Sequence, residues 1–110
     1  MTTLSIDIET YSGTSLKDAG VYKYVEDPDF EILLFAYSFD GGEVKVISQP
    51  VGLDMPDELW DALTDPTILK TAHNANFEIT CISKYFGIEL DPAQWQCTMV
   101  LAAIAGLPLS

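Results

Sequence analysis

The spacing of apolar residues changes partway along this chain, and that change limits the folds that the chain can adopt. Over residues 4–8, apolar and polar side chains alternate with the period of two that is typical of a β-strand. From Pro56 onward, apolar side chains recur every three or four residues, as at Leu59 and Leu63, which is typical of helices packed on a core. Strands followed by alternating helices and strands predict an α/β fold, in which a mixed sheet is flanked by helices.

Turn residues between these patterns give the boundaries of the predicted elements. Gly41 and Gly42 separate two strand-like runs and therefore predict an antiparallel hairpin. Residues 11–30 are polar and interrupted by glycine and proline, so we predict an ordered loop with a short helical turn. The predicted order is βββαβα(β)α, with strands at 4–9, 31–40, 43–48, 67–72 and 95–98 and helices at 56–64, 74–87 and 99–105.

Length and charge restrict the class of protein. A chain of 110 residues suggests one domain, and its 48% hydrophobic content argues against a disordered chain. The 17 acidic residues outnumber five lysines, and a net charge of −12 without any arginine argues against an autonomous nucleic-acid-binding module. We see no signal peptide and no apolar run of the roughly 20 residues that a membrane span needs, so we expect a cytoplasmic protein. Cys81 and Cys97 lack metal-binding spacing and are predicted to be buried thiols, with a disulfide left open.

Asp7 and Glu9 form the first candidate site. Because they are two residues apart on a predicted strand, they leave the same face, with their backbones roughly 7 Å apart. Adjacent carboxylates repel unless water or a cation screens them, and carboxylate oxygens are ligands that Mg²⁺ prefers. An amphipathic strand with a solvated acidic face is the simpler interpretation of this pair taken alone.

Glu78 is the second candidate, and it follows a polar turn that begins at His73. The helix dipole favours an acid in the first turn of a helix by about 0.3–1 kcal/mol, which alone could explain Glu78. Asn74 and Asn76 are candidate helix caps, and His73 is more simply explained as a structural imidazole than as a ligand or base.

Two short motifs, taken together, are more specific than either acidic position. The first is Asp7-Ile8-Glu9-Thr10, and the second is Asn74-Ala75-Asn76-Phe77-Glu78, with Glu where Asp is commoner. In this order they resemble the first two motifs of the DEDD (DnaQ-like) 3′–5′ exonucleases of the ribonuclease H-like fold. The resemblance is greatest to the proofreading domain of phage-type family A DNA polymerases. The segments 20–28 and 95–108 also agree, so the resemblance covers nearly the whole chain.

The resemblance implies a role for each matching residue. Asp7 would bridge two divalent cations, Mg²⁺ or Mn²⁺, while Glu9 would bind one of them and Glu78 the other. The implied reaction is two-metal hydrolysis of phosphodiester bonds at a DNA 3′ end. The candidate substrate-binding residues for the terminal nucleotide are Thr10, Asn74 and Phe77.

The sequence departs from the family pattern in one respect. The third motif, Y-x-x-x-D or H-x-x-x-x-D, is expected after Pro108, and Asp91 lies too early in the chain to supply it. We therefore expect residues 1–110 to be one incomplete exonuclease domain, as a gene fragment, a truncated piece or half of a split gene. Metal binding should be weak and nuclease activity slight in isolation. The expected partners are a single-stranded DNA 3′ end, bound weakly, and a polymerase domain or the remaining exonuclease segment. The choice of DNA or RNA, the metal and the oligomeric state stay open.

Other functions also stay open on the sequence. A non-catalytic remnant with the same fold could act as an interaction module, docking a partner through an apolar edge that includes 99–109. An acidic inhibitor that mimics DNA would need carboxylates at phosphate-like intervals, whereas these are spread along the chain. A glycosidase would need two carboxylates about 5–10 Å apart across a sugar cleft, which nothing in the sequence marks. In the exonuclease interpretation, bound divalent cations would reverse the local charge that a nucleic acid meets.

Overall fold

A five-stranded mixed sheet forms the centre of the protein, and the computed structural model describes residues 2–50 and 55–98. The strands are β1 (Thr3–Tyr11), β2 (Glu31–Phe39), β3 (Lys45–Ser48), β4 (Leu69–Ala72) and β5 (Trp95–Cys97), and the helices are α1 (Leu16–Ala19), α2 (Val21–Glu26), α3 (Asp57–Thr64) and α4 (Ala75–Phe86). Across the sheet the order is β3-β2-β1-β4-β5. β1 is therefore central, antiparallel to β2 and parallel to β4. The predicted mixed sheet flanked by helices is confirmed.

The predicted hairpin joins β2 to β3, which pair antiparallel with Phe35 opposite Ile47. Its turn is closed by a hydrogen bond of 2.9 Å from the N–H of Gly42 to the carbonyl of Phe39. Asp40 and Gly41, the two central residues, have φ values of 52° and 72°. Two successive positive φ angles are typical of a type I′ turn, which favours residues that tolerate the left-handed region.

One face of the sheet is the hydrophobic core. The apolar residues of β1 are buried there, as their alternation predicted, and the buried side chains of α3 and α4 belong to the same cluster. Phe86 of α4 joins the layers, because its ring meets Phe35 of β2 at 6.5 Å and Trp60 of α3 at 5.1 Å, both edge to face. Such aromatic pairs add about 0.5–1.5 kcal/mol each beyond the apolar area they bury.

The segment 11–30 contains more helix than the sequence predicted. In place of a loop with one helical turn it forms α1 and α2, which meet at Gly20. The Ser15 hydroxyl accepts a hydrogen bond of 3.4 Å from the backbone N–H of Asp18 and so caps α1. Gly20 adopts a φ of 82°, which lets the chain change direction into α2 without steric cost.

The helix α4 ends where the sequence predicted, at Gly87, whose φ of 68° is left-handed. Asn74 occupies the N-cap position, but its side chain makes no capping hydrogen bond, and Asn76 lies inside the helix. The predicted side-chain caps are therefore wrong. The backbone carbonyl of Asn74 accepts a hydrogen bond from the N–H of Glu78 at 3.2 Å, which begins the helix by backbone contacts alone. The helix predicted at 99–105 lies outside the described residues.

The opposite face of the sheet is open over β1, β2 and β3 in the part of the chain that the structure describes. Ser5, Asp7 and Glu9 of β1 are exposed on it, and Val46 of β3 keeps 59% of its surface accessible. A shallow cavity of about 260 Å³ lies on this face, lined by Asp7, by neighbouring residues of β1 and β2 and by Val44, which is 64% exposed. We call this surface the open face.

One of the five lysines is completely buried. Lys70 of β4 donates hydrogen bonds from Nζ to the carbonyls of Asp65 at 2.7 Å and Ile68 at 2.9 Å and to the side-chain oxygen of Gln94 at 2.7 Å. Burial lowers the pKa of Lys70, although the negative charges of Asp65 and Asp91 act in the opposite direction. Because an ammonium group has three donors, all of them are satisfied, and Lys70 ties the turn before β4 to the segment before β5.

Candidate active site

The candidate acids lie where the carboxyl end of β1 passes the start of α4. β4 pairs in parallel with β1 as far as Ser5, which is opposite Thr71, and after Ala72 the chain turns into α4. Asp7 and Glu9 therefore lie beyond the end of β4. In open α/β sheets, ligands bind outside the carboxyl ends of the strands, where the connections on either side go in opposite directions. The central strand of this sheet has that position.

Asp7 and Glu9 are both exposed on the open face of β1, so the prediction that they leave one side of the strand is confirmed. Their partners on β2 are Ala36 and Leu34, which carry no charge. The register shifts directly after Glu9, so both acids lie just before the point where the regular pairing of β1 with β2 is interrupted. Both carboxylates are therefore accessible to solvent ions and lack a basic residue opposite them in the sheet.

Glu78 lies in the first turn of α4, and only 5% of its surface is exposed. Its Oε2 atom is buried and has no hydrogen-bond partner among the residues that the structure describes. The pKa of Glu78 is raised to about 7, mainly by burial and in part by the negative charge of Asp7, while backbone hydrogen bonds at the start of the helix oppose the rise. A buried oxygen without a partner is unfavourable, so this carboxyl group favours a proton or a cation beside it.

The three predicted metal ligands are not gathered into one cluster. Over residues 2–50 and 55–98, no group of three or more His, Cys, Asp or Glu side chains is arranged to hold a metal ion. The charge of Asp7 contributes to the raised pKa of Glu78, whereas Glu9 is not among the causes of that shift. Three carboxylates repel one another at short range, so a fully assembled cluster is not expected without a positive charge to hold it. The hard oxygen donors and the partnerless Oε2 atom fit a divalent cation such as Mg²⁺.

The candidate substrate-binding residues surround this point. Thr10 follows Glu9, and its hydroxyl makes a hydrogen bond of 2.8 Å with the hydroxyl of Tyr24. Phe77 precedes Glu78 and is half-buried, with its ring 6.0 Å from that of Tyr24. Thr10 and Phe77 are thus joined through one side chain.

Asn74 and His73 are exposed in the turn before α4. The carbonyl of His73 accepts a hydrogen bond of 3.0 Å from the thiol of Cys97, so this residue links the turn to β5 through its backbone. This contact agrees with a structural role for His73.

Tyr24 is the residue of this neighbourhood that sequence reasoning did not single out as functional. It lies in α2, outside both motifs, and the sequence marks it only as one of several aromatic residues in a flanking segment that agrees with the family pattern. The signal that could have found it is the position of that aromatic segment between two candidate motifs. Its contact with Thr10 depends on how α2 folds back onto β1, which the local sequence does not specify.

Cys81 lies one turn after Glu78 in α4 and is completely buried, as the sequence predicted. Burial raises the pKa of its thiol to about 12, and the charge of Glu78 adds to the rise. The thiolate is the reactive form of cysteine, so this thiol is inert at neutral pH. Cys97 is half-buried rather than buried.

Among residues 2–50 and 55–98, no helix has the length and apolar character needed to cross a bilayer.

Known structures place this architecture in a recognised fold class. The chain superposes on Brucella melitensis NrnC bound to pGG over 93% of its length, with a TM-score of 0.64 and 22% sequence identity. NrnC with bound Mg²⁺ gives the same TM-score and identity, and a structure described as the apo form of the nuclease gives a TM-score of 0.62. The chain covers 43% of the pGG-bound NrnC chain. Its fold is the ribonuclease H-like α/β fold of these nucleases, which confirms the predicted fold class.

The chain is also similar in sequence to a phage protein. The chain is 58% identical to the DNA polymerase of Bacillus phage SP02 over 108 residues, which are 98% of this chain. It spans only 17% of the length of that polymerase. No family model matches the chain.

Proposed function

We propose that this chain is part of a 3′–5′ exonuclease (proofreading) domain of a phage-type DNA polymerase. The reaction would be hydrolysis of the phosphodiester bond at a DNA 3′ end, with Mg²⁺ or Mn²⁺ as cofactor. One observation carries this proposal. The buried Glu78, with an oxygen that lacks a partner among the described residues, interacts electrostatically with the exposed Asp7 of the central strand, just beyond the end of β4.

The proposed roles follow from the position of each acid. Asp7, Glu9 and Glu78 would hold two divalent cations, which supply an activated water and stabilise the leaving 3′ oxygen when bound. Asp7 and Glu9 present their oxygens from the exposed side of β1. Glu78 presents one from the buried start of α4 and releases a proton when a cation replaces it.

The nucleotide would be held by residues next to the acids. Thr10 offers a hydroxyl to an oxygen of the terminal nucleotide, and Phe77 offers an aromatic face to its base or sugar. Asn74, exposed at the start of α4, offers amide donors and an acceptor. Each of these side chains lies within four residues of a candidate metal ligand in the sequence, so the two sets of contacts would reach adjoining parts of one ligand.

The similar proteins support a nuclease fold within a DNA polymerase. The sequence relative is a DNA polymerase, and the structural neighbours include a nuclease bound to pGG and the same protein with bound Mg²⁺. Both ligands are of the chemical classes that the proposal needs. The partners would be a single-stranded DNA 3′ end and the polymerase domain or the rest of the exonuclease domain, acting in the cytoplasm of a bacterial host.

In isolation we expect weak metal binding and little hydrolysis. The resemblance implies a fourth acid and a general base, and the sequence contains no motif that would supply them. Residues 1–110 would accordingly contribute three of four acids to one domain. Rapid Mg²⁺-dependent degradation of single-stranded DNA by this chain, abolished in Asp7→Ala, would contradict that expectation.

Metal-dependent stabilisation tests the site directly. A ligand that binds only the folded state stabilises it by about 2.7 kcal/mol at a concentration a hundred times its Kd. We expect Mn²⁺ to raise the Tm of the wild-type chain and to have no such effect on Asp7→Asn or Glu78→Gln. Glu58 is also a first-turn glutamate, but it is exposed on α3, so Glu58→Gln is the matched control and should respond as wild type does. Equal responses of all four proteins would contradict the proposed site.

A non-catalytic interaction module is the second candidate function. Two observations favour it: the absence of a three-acid cluster within the described ranges, and the exposed valines 44 and 46 beside a cavity on the open face. The Mn²⁺ titration separates the two functions. A module would show no metal response at any of the acids, whereas the exonuclease site would show one that depends on Asp7 and Glu78.

A further inference from the structure

Tyr24 of α2 contacts two candidate nucleotide-binding residues that come from different motifs. Its hydroxyl is 2.8 Å from the hydroxyl of Thr10, and its ring centroid is 6.0 Å from that of Phe77. We propose that Tyr24 is a positioning residue that fixes Thr10 and Phe77 for the 3′-terminal nucleoside monophosphate. This inference rests on the proposed function and extends it to a residue outside the two motifs.

The contact with Thr10 controls the direction of a hydroxyl at the end of the acidic strand segment. Thr10 lies directly after Glu9, at the point where the pairing of β1 with β2 shifts register. Either hydroxyl can be the donor, but a phenol is the stronger hydrogen-bond donor of the two. When Tyr24 donates, the Thr10 proton remains available for an acceptor on the ligand, and the side chain of Thr10 is held in one rotamer.

The contact with Phe77 fixes the aromatic side chain on which a base or sugar would pack. The rings of Tyr24 and Phe77 are tilted by 48°, and Tyr24 also meets Phe30 edge to face at 5.7 Å. Phe30 in turn meets Tyr85 of α4 at 6.2 Å. Tyr24 therefore lies in a chain of aromatic contacts that runs back to the same helix that carries Phe77. Such a chain leaves Phe77 little freedom to rotate when a base packs on it.

The backbone of Tyr24 is also held to the end of β1. The Ser12 hydroxyl donates a hydrogen bond of 2.7 Å to the Tyr24 carbonyl. A tyrosine that only filled space could be replaced by phenylalanine without loss, because the ring would keep the same contacts. The hydrogen bond to Thr10 gives the Tyr24 hydroxyl a role separate from the packing of its ring. The substitution Tyr24→Phe removes that hydrogen bond and keeps the ring.

The test measures binding of thymidine 5′-monophosphate, which has the chemistry of the released product, to the 110-residue chain by calorimetry in saturating Mn²⁺. A neutral hydrogen bond contributes about 0.5–1.5 kcal/mol, so we expect Tyr24→Phe to weaken binding of the nucleotide by about 2- to 10-fold. The affinity for Mn²⁺ alone should not change. Thr10→Val should weaken binding at least as much, because it removes the hydroxyl that meets the nucleotide. The double variant should be no weaker than Thr10→Val alone, because Tyr24 acts only through that hydroxyl.

Tyr85→Phe is the matched control. Tyr85 belongs to the same chain of aromatic contacts through Phe30 but makes no contact with Thr10 in the structure, so its variant should bind the nucleotide as wild type does. Equal weakening by Tyr85→Phe and Tyr24→Phe would mean that the loss does not depend on the hydrogen bond to Thr10, which would overturn the inference. Comparison of the Tm values identifies a variant that has merely lost stability.

The outcomes separate this inference from the proposed function. A wild-type chain that binds Mn²⁺ and the nucleotide, together with a Tyr24→Phe variant that binds both equally well, overturns the role of Tyr24 and leaves the exonuclease site intact. A wild-type chain that binds neither overturns both. Additive losses in the double variant would show that Thr10 and Tyr24 act separately, and this result would also overturn the inference.

Discussion

The negative charge of Asp7 raises the pKa of Glu78, although Asp7 lies on the central strand and Glu78 on the helix that follows β4. Burial is the larger cause, and together they bring the pKa of Glu78 to about 7 from its ordinary value of 4.5. Two ionised acids in this arrangement destabilise the folded chain, and either a proton or a cation relieves the effect. The fold thus holds two carboxyl groups whose mutual repulsion a divalent cation would relieve.

The stability of the folded chain should depend on the protonation of Glu78. Because its pKa is higher in the folded state than in the unfolded state, the folded state binds more protons between about pH 4.5 and 7. The contribution of Glu78 to stability is therefore greatest below about pH 4.5, falls as the pH rises to about 7, and is constant above that. The loss amounts to about 3 kcal/mol.

Urea denaturation at a series of pH values measures this contribution. The free energy of unfolding of wild type minus that of Glu78→Gln isolates it from the other acids. We expect this difference to fall by about 3 kcal/mol over the stated range. A difference that does not change with pH would show that Glu78 titrates as an ordinary exposed glutamate.

Asp7→Asn should lower the pKa of Glu78 without restoring its ordinary value. The substitution removes one of the two causes of the rise, and burial, the larger cause, remains. A pH titration of the Glu78 side-chain carbon by NMR measures the change. Glu9→Gln is the control, because Glu9 is not among the causes of the shift, and its variant should leave the titration of Glu78 unchanged. A larger effect of Glu9→Gln than of Asp7→Asn would mean that the wrong acid has been paired with Glu78.

Binding of a divalent cation should release protons near neutral pH. With a pKa of about 7, Glu78 is about half protonated at pH 7, so binding there should release about 0.5 proton from this group. The release should fall toward zero about two pH units higher, where Glu78 is already ionised. Calorimetric titrations with Mg²⁺ in buffers of different ionisation enthalpy count the protons. Proton release that is the same in Glu78→Gln would assign it to another group.

Lys70→Ala should destabilise the chain strongly, although lysine is usually a surface residue. The substitution removes a completely buried side chain and leaves the side-chain oxygen of Gln94 and two backbone carbonyls without their donor. A cavity and unsatisfied polar groups together predict a loss of about 2–4 kcal/mol. Denaturation by urea measures it, with Lys45→Ala as the control, because Lys45 is exposed and should change stability by less than about 0.5 kcal/mol. Similar losses for the two lysines would contradict the structural role of Lys70.

Much of the sheet could be predicted from the sequence because its signals are local. The alternation in residues 4–8 defines β1, and Gly41 allows the type I′ turn whose central residues both need positive φ. The same alternation placed Asp7 and Glu9 on one face. These features depend on residues within a few positions of one another, so no knowledge of the rest of the fold is needed.

Other features depend on contacts between distant segments and could not be predicted. A first-turn glutamate is usually exposed, and the burial of Glu78 depends on how α4 packs in the fold, which the local sequence does not specify. Lys70 is buried because the strand that carries it lies between β1 and β5, which the short run at 67–72 does not reveal. The link from Tyr24 to Thr10 depends on the path of α1 and α2. The prediction of a side-chain cap at Asn74 was wrong for a different reason, because backbone hydrogen bonds alone begin the helix there.

The parallel pairing of β1 with β4 has a consequence for the order of folding. The hydroxyls of Ser5 and Thr71 meet at 3.0 Å across a sequence separation of 66 residues, whereas the β2–β3 hairpin closes within a few residues. Contacts between distant residues form slowly, because a long loop must close before they add any stability. Asp7 and Glu9 can thus take their places on a strand pair before Glu78 reaches them. In a refolding experiment, the raised pKa of Glu78 would therefore appear only after β4 has paired with β1 and α4 has packed beside it. Its appearance would mark the point at which the chain acquires its native topology.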